Sequence, residues 1–191
     1  NTAAYSGSSE AVVVDMIDGS AGGGDATGDT FSDIAILEGS SFDDILRGDN
    51  ADNVLRGGLG ADILDGRGGF DTADYSTADA AISVNLTLGK GLAGEANGDT
   101  LISIEKIVGS AYDDLIIGSD AGQVFDGGAG SDTIRGGVGA DAYLFEFVPG
   151  SDVTVETGAP TPVVLFFLTP NVRPADISVV REGNDLVLEL E

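Results

Sequence analysis

A nine-residue unit, G-G-x-G-x-D-x-U-x with U a large apolar residue, recurs along this chain and limits what it can fold into. Its plainest copies are Gly57-Gly-Leu-Gly-Ala-Asp-Ile-Leu-Asp65 and Gly127-Gly-Ala-Gly-Ser-Asp-Thr-Ile-Arg135. Glycines let the first six residues turn back tightly, and an aspartate ends the turn. The last three residues then form a short strand that points one side chain inward. A unit cannot bury that single residue alone, so units have to stack. The pattern predicts a solenoid whose turns carry acidic groups and need a cation.

The nine-residue count extends beyond these two copies. Units start without gaps at Gly39, Gly48, Gly57 and Gly66, and again at Gly109, Gly118, Gly127 and Gly136. Sixth positions hold Asp44, Asn53, Asp62 and Asp71, then Asp114, Gln123, Asp132 and Asp141. Eighth positions hold Leu46, Leu55, Leu64 and Ala73, then Ile116, Phe125, Ile134 and Tyr143, all but Ala73 large and apolar. Asn53 and Gln123 both fall in the second unit of their run, which points to a shared design.

A longer repeat contains the two runs, which lie 70 residues apart. Asn1-Thr-Ala-Ala-Tyr5 matches Asp71-Thr-Ala-Asp-Tyr75, Gly28-Asp-Thr30 matches Gly98-Asp-Thr100, and Gly39-Ser40 matches Gly109-Ser110. Each copy opens with an extended segment, Val12 to Ile17 and Ile82 to Leu88. Ile82, Val84, Leu86 and Leu88 alternate with polar residues, as a half-buried strand does. A second apolar stretch follows, Phe31 to Leu37 and Leu101 to Val108, and then the nonapeptides. Asn1 falls on the sixth position of a unit, as expected of a segment from a longer array.

Composition identifies the cation. Calcium takes about 6–8 oxygen ligands in a flexible shell, commonly carboxylates mixed with main-chain carbonyls. Zinc, copper and iron prefer imidazole or thiolate, and the chain has no His and no Cys. Magnesium demands a tighter octahedron and keeps its waters. The 33 acidic residues against 8 basic ones give a net charge of −25, and self-repulsion of that size opposes compaction until counterions neutralise it. At millimolar calcium, a site of about 10⁻⁴ M affinity adds roughly 1.5 kcal/mol by mass action. Four such sites add on the order of 5–6 kcal/mol, comparable to the stability of a small domain. The expectation is a chain disordered at cytosolic calcium that folds outside the cell.

These units resemble the calcium-binding nonapeptides of the RTX (repeats-in-toxin, hemolysin-type) family, over roughly residues 1–148. The resemblance implies an all-β fold, a right-handed parallel β-roll or β-solenoid with two nonapeptides per turn. Calcium ions would sit between units i and i+2, several in all and about two or more per 70-residue repeat. On that scheme Asp44 pairs with Asp62, Asn53 with Asp71, Asp114 with Asp132, and Gln123 with Asp141. Carbonyls at Gly58, Gly60, Gly69, Gly128, Gly130, Gly137 and Gly139 would complete the shells. Sites that rely on Asn53 or Gln123 have lost a charge and should be weaker. The resemblance also implies a secreted, extracellular protein with the type I secretion machinery as a partner, and admits contact with a cell surface or a polysaccharide.

The domain reading is a roll over 1–148, with nonapeptides at 39–74 and 109–144, and a C-terminal β-rich cap over 149–191. All five prolines fall in the last 43 residues. Tyr143, Phe145 and Phe147 alternate on one face. Val163 to Leu168 is too short to span a bilayer and reads as a buried strand. Ile177 to Val180 and Leu186 to Leu190 flank Glu182-Gly-Asn-Asp185, a hairpin signal. This stretch resembles the segment that follows the last nonapeptide in RTX proteins, and solenoids need such a cap.

Without His, a zinc protease motif and the Ser-His-Asp and Cys-His arrangements are excluded. The acid pairs Asp43-Asp44 and Asp113-Asp114 recur at one place in the repeat, which favours a structural or calcium role over glycosidase chemistry. Tyr5 and Tyr75 recur likewise and read as core. Nucleic acid is disfavoured by charge, and no membrane-inserting segment is visible. The chain therefore reads as a non-catalytic calcium-binding module of structural or adhesive role. The alternative is the secretion and folding module of an exoenzyme (protease, lipase or alginate epimerase) or a toxin.

Overall fold

The computed structural model describes residues 1–145 and, beyond them, the backbone of four strands at 154–157, 164–167, 177–182 and 185–190. Each nonapeptide contributes three residues of extended chain, alternately to one of two facing sheets. The first sheet stacks β1 (Thr2–Ala4), β4 (Ile36–Glu38), β6 (Val54–Arg56), β8 (Thr72–Asp74), β12 (Lys106–Val108), β14 (Val124–Asp126), β16 (Ala142–Phe145) and β18 (Val164–Phe167). Every neighbouring pair in it is parallel. The second sheet carries β2 (Val13–Asp15), β5 (Ile45–Arg47), β7 (Ile63–Asp65), β9 (Ser83–Asn85), β11 (Thr100–Ile102), β13 (Leu115–Ile117), β15 (Thr133–Gly137) and β17 (Thr154–Thr157). Two hairpin strands join it antiparallel: β3 (Ser20–Gly22) on β2, and β10 (Lys90–Ala93) between β9 and β11. The fold is a parallel β-roll.

Register follows the repeat. Leu46 faces Leu64, Leu37 faces Leu55, Leu55 faces Ala73, Ile116 faces Ile134, and Phe125 faces Tyr143. The eight inward positions are all sealed from solvent, none exposed by more than 1%. Val14, Val84, Leu37 and Ile107 belong to the same core. A slip of one residue would turn every inward side chain outward, so burial alone fixes the register. Ion pairs reinforce it: Arg56 holds Asp74 across the junction of the two copies, and Arg67 holds Asp15 within the first.

The extended segments are shorter than the alternation suggests. The strand opening the second copy ends at Asn85, and the chain reverses over residues 86–89 into β10. Ile82 and Val84 are buried, but Leu88 is exposed because it lies on that reversal. The apolar stretch Leu101 to Val108 is two strands, β11 and β12, one in each sheet. Strands β17 and β18 extend the two sheets past residue 148. The expected hairpin is present as β19 (Ile177–Glu182) against β20 (Asp185–Leu190), antiparallel, with Glu182 opposite Asp185. The facing of Phe145 and Phe147 and the burial of Val163 to Leu168 lie outside the described residues.

Leu64 is fully buried where the first copy meets the second. Leu64→Ala is expected to cost about 3 kcal/mol of folding stability, measured by chemical denaturation in saturating calcium.

Candidate metal centre

The sixth position of each unit lies where the glycine turn runs into the strand, and all eight side chains there are buried. One oxygen of the downstream carboxylate has a structural task. The Asp44 N–H donates to Asp62 Oδ1 at 2.8 Å, and the Asn53 N–H to Asp71 Oδ1 at 2.8 Å. The Asp114 N–H donates to Asp132 Oδ1 at 3.0 Å, and the Gln123 N–H to Asp141 Oδ1 at 3.0 Å. The structure thus brings together the four i, i+2 pairs named from the sequence. Their direct link runs from main chain to carboxylate, which carries sheet-like bonding into the turn.

The second oxygen separates the units into two kinds. In Asp62, Asp71, Asp132 and Asp141, Oδ2 is buried without a hydrogen-bond partner. Asp44 and Asp114 are satisfied: Oδ1 accepts from the N–H of Val12 at 2.6 Å or Ile82 at 2.7 Å, and Oδ2 accepts from the N–H of Ser40 or Ser110. Asn53 Oδ1 accepts from the Asp49 N–H at 2.8 Å and leaves its Nδ2 unpartnered, a donor that cannot ligate a cation. Gln123 Oε1 accepts from the Ser119 N–H at 2.7 Å. The first two units of each run therefore tie down their own turns, and the last two keep an unused buried oxygen.

Burial makes those carboxylates poor acids. Desolvation pushes Asp62 up to about 8, helped by the nearby charges of Asp99, Asp44 and Asp43 and opposed by the Asp44 N–H. The same cause raises Asp132 to about 7 and Asp71 to about 6, and raises Asp141. A buried anion without a counter-charge is costly, and a bound cation removes that cost.

The glycines complete the setting. Gly58 and Gly60 adopt φ of +92° and +135°, a region that strains an L side chain. Space forbids one as well. A methyl group at Gly58 would overlap the Ser40 carbonyl oxygen, and one at Gly60 would stand 2.6 Å from the Phe42 carbonyl oxygen. Gly128 and Gly130 lie in the same way on Ser110 and Tyr112, Gly69 on Ala51, and Gly137 and Gly139 on Ser119 and Ala121. All seven glycines named from the sequence thus rest on carbonyls of the turn two units earlier.

These oxygens fit calcium. The donors are carboxylate and carbonyl oxygen, and the sequence offers no His or Cys to a softer metal. Among the described residues, no group of three or more acidic side chains converges on one point. A cation held here would have to draw most of its protein oxygens from the main chain.

Several working residues lie outside the ligand set named from the sequence, although the sequence reads Asp43 and Asp113 as structural or calcium acids. Asp43, Asp52 and Asp113, in fifth positions, accept at 2.8 Å from the N–H of Ala61, Phe70 and Ser131, two units on. Asp99 and Glu105, outside the nonapeptides, accept from the N–H of Asp62 and Asp71 at 2.9 Å each and continue the carboxylate ladder across the junction of the copies. The recurrence of Gly-Asp-Thr at 28–30 and 98–100 was the available signal for Asp99.

Over residues 38–73, 103–121 and 117–144 the chain matches the RTX calcium-binding nonapeptide repeat, in four copies. In those segments the roll is similar to RTX calcium-binding nonapeptide repeats. No curated protein matches the sequence. The matched segments contain Asp62, Asp71, Asp132 and Asp141, so the RTX match and the unused buried oxygens coincide.

A pH dependence follows for the calcium-free roll. Carboxylates raised on folding bind protons more tightly in the folded state, so stability is full below about 4 and declines as pH rises. The decline spans the interval up to about 8, set by Asp62, with Asp132 and Asp71 titrating within it. Far-UV circular dichroism in chelator should show β signal growing as pH falls from 8 to 4. The calcium midpoint should shift upward over the same interval, because calcium must displace those protons.

Proposed function

We propose that this chain is a non-catalytic structural module of a secreted protein, disordered at cytosolic calcium and folded by extracellular calcium. The supporting observation is the four buried, unpartnered Oδ2 atoms of Asp62, Asp71, Asp132 and Asp141, each beside a glycine turn lying on carbonyls. Asp62 and Asp71 in the first run of nonapeptides, and Asp132 and Asp141 in the second, would each ligate an ion, giving two per run and one run per 70-residue repeat. Calcium supplies the charge neutralisation that these oxygens lack and bridges adjacent turns. The net charge of −25 supports the same dependence, since it opposes the compact roll until cations bind.

The non-catalytic reading is supported by how the recurring acids are used. Asp43 and Asp113 hold the next turn on their side, and Asp44 and Asp114 hold their own turns. Export by the type I secretion machinery, an extracellular location and a structural or adhesive role at a cell surface or polysaccharide belong to the same proposal. No described helix is long and apolar enough to cross a membrane.

A calcium titration followed by far-UV circular dichroism, with magnesium as the control, tests this reading. The expected outcome is a cooperative gain of β signal near millimolar calcium, absent with magnesium and reversed by chelator. A complete β signal in chelator at neutral pH would overturn it. Asp62→Asn refines the test, since the amide keeps an oxygen for the Asp44 N–H but removes the buried charge. That variant should show more β signal in chelator, and a calcium midpoint raised by about tenfold.

A further inference from the structure

The second residue of each nonapeptide divides the units in the same way as the unused oxygens do. It is Ser40, Asp49, Ser110 or Ser119 in the first two units of each run, and Gly58, Arg67, Gly128 or Gly137 in the last two. In the first group its N–H donates to the sixth side chain of its own unit. Ser40 donates to Asp44 Oδ2 and Ser110 to Asp114 Oδ2, Asp49 to Asn53 Oδ1 at 2.8 Å, and Ser119 to Gln123 Oε1 at 2.7 Å. In the second group the equivalent oxygen is Oδ2 of Asp62, Asp71, Asp132 or Asp141, buried and without a partner.

The backbone accounts for the division. Gly58, Arg67, Gly128 and Gly137 have φ of +92°, +72°, +84° and +100°, whereas none of the four donating residues has a positive φ. Turning over one peptide plane reverses its N–H and makes the following φ positive, the difference between type I and type II β-turns. In two units the withdrawn N–H finds another acceptor. The Arg67 N–H donates to Asp65 Oδ1 at 3.1 Å, and the Gly128 N–H to Asp126 Oδ1 at 3.3 Å. Both acceptors are ninth-position aspartates of the preceding unit. The first carbonyl of these four units, at Gly57, Gly66, Gly127 and Gly136, lies against the first glycine two units earlier.

Arg67 shows what holds a unit in this setting when glycine does not. Among the described nonapeptide residues it is the one L residue with a positive φ, a conformation its Cβ disfavours. Its guanidinium rests on Asp15, and its Nε lies 3.6 Å from Asp65 Oδ2. The two carboxylates, together with the main-chain bond to Asp65, keep its N–H turned away from Asp71. Gly137, its counterpart 70 residues on, needs no such anchor.

We propose that the peptide joining the first and second residues of each unit decides whether that unit takes a cation. Turned inward, its N–H occupies the sixth-position oxygen and puts the positive end of a dipole where an ion would sit. Turned outward, it leaves that oxygen free to ligate. Glycine sets the outward position at residues 58, 128 and 137, and Arg67 anchored on Asp15 and Asp65 sets it at Asp71. Serine or aspartate at the second position sets the inward one, and the Ser40 and Ser110 hydroxyls reinforce it by donating to Asp44 Oδ1 at 2.9 Å and Asp114 Oδ1 at 2.7 Å. The proposal rests on the calcium reading above and adds the residue that selects the occupied units.

Arg67→Ala and Arg67→Gly, each in the full chain, test it as a pair. Both lose the contacts to Asp15 and Asp65 alike, and alanine fits the space that the arginine Cβ already fills. Calcium binding is measured by equilibrium dialysis, and folding by far-UV circular dichroism. Arg67→Ala should bind one of its calcium ions about tenfold more weakly than Arg67→Gly, because only glycine keeps the outward setting without an anchor. In chelator, with sodium sulfate added to support the compact state, the order should reverse. Arg67→Ala should then keep more β signal, since its N–H satisfies Asp71 Oδ2. Equal calcium affinities, or an alanine variant less folded than the glycine variant in both conditions, would overturn the proposal. A chain that binds no calcium at all defeats the calcium reading instead, and the comparison in chelator still decides the peptide setting.

Discussion

Inward side chains of the roll are covered by residues of the neighbouring turns, and the apolar residue of a unit is not buried by that unit alone. A nonapeptide has one apolar position and six residues of turn, so it gains nothing by folding alone. Stacking is therefore the source of the core, and it forces parallel, in-register strands. Leu46 on Leu64 and Phe125 on Tyr143 are the same interaction repeated along two sheets.

That geometry creates the electrostatic problem that calcium solves. Stacked turns place the sixth-position side chains of units i and i+2 next to each other in a buried layer. One oxygen of each downstream carboxylate serves as a surrogate carbonyl for the N–H two units earlier. At the last two units of each run the other oxygen has no donor. The ladder that holds the turns together thereby leaves buried oxygens without donors, and one side chain carries both the staple and the unpartnered atom.

The repeat made most of this legible. The units, their inward residues, the i, i+2 pairing and the seven glycines are periodic, and in a solenoid sequence period becomes spatial neighbourhood. Asp99 and Glu105 were not legible in that way, because they enter the ladder from outside the nonapeptides through strands placed by the β9–β10–β11 excursion. Leu88 was misread as strand because alternation of apolar and polar residues does not show where a chain reverses.

The sequence by itself determined the roll, its register and the kind of cation, because each depends on which residue occupies which place in the repeat. The tertiary structure alone decided which carboxylates are left wanting. Asp44 and Asp62 are the same residue at the same position, yet Ser40 and Val12 satisfy the first, while the second keeps a bare oxygen. That difference depends on which N–H groups the neighbouring turns turn toward each carboxylate, and no spacing encodes it.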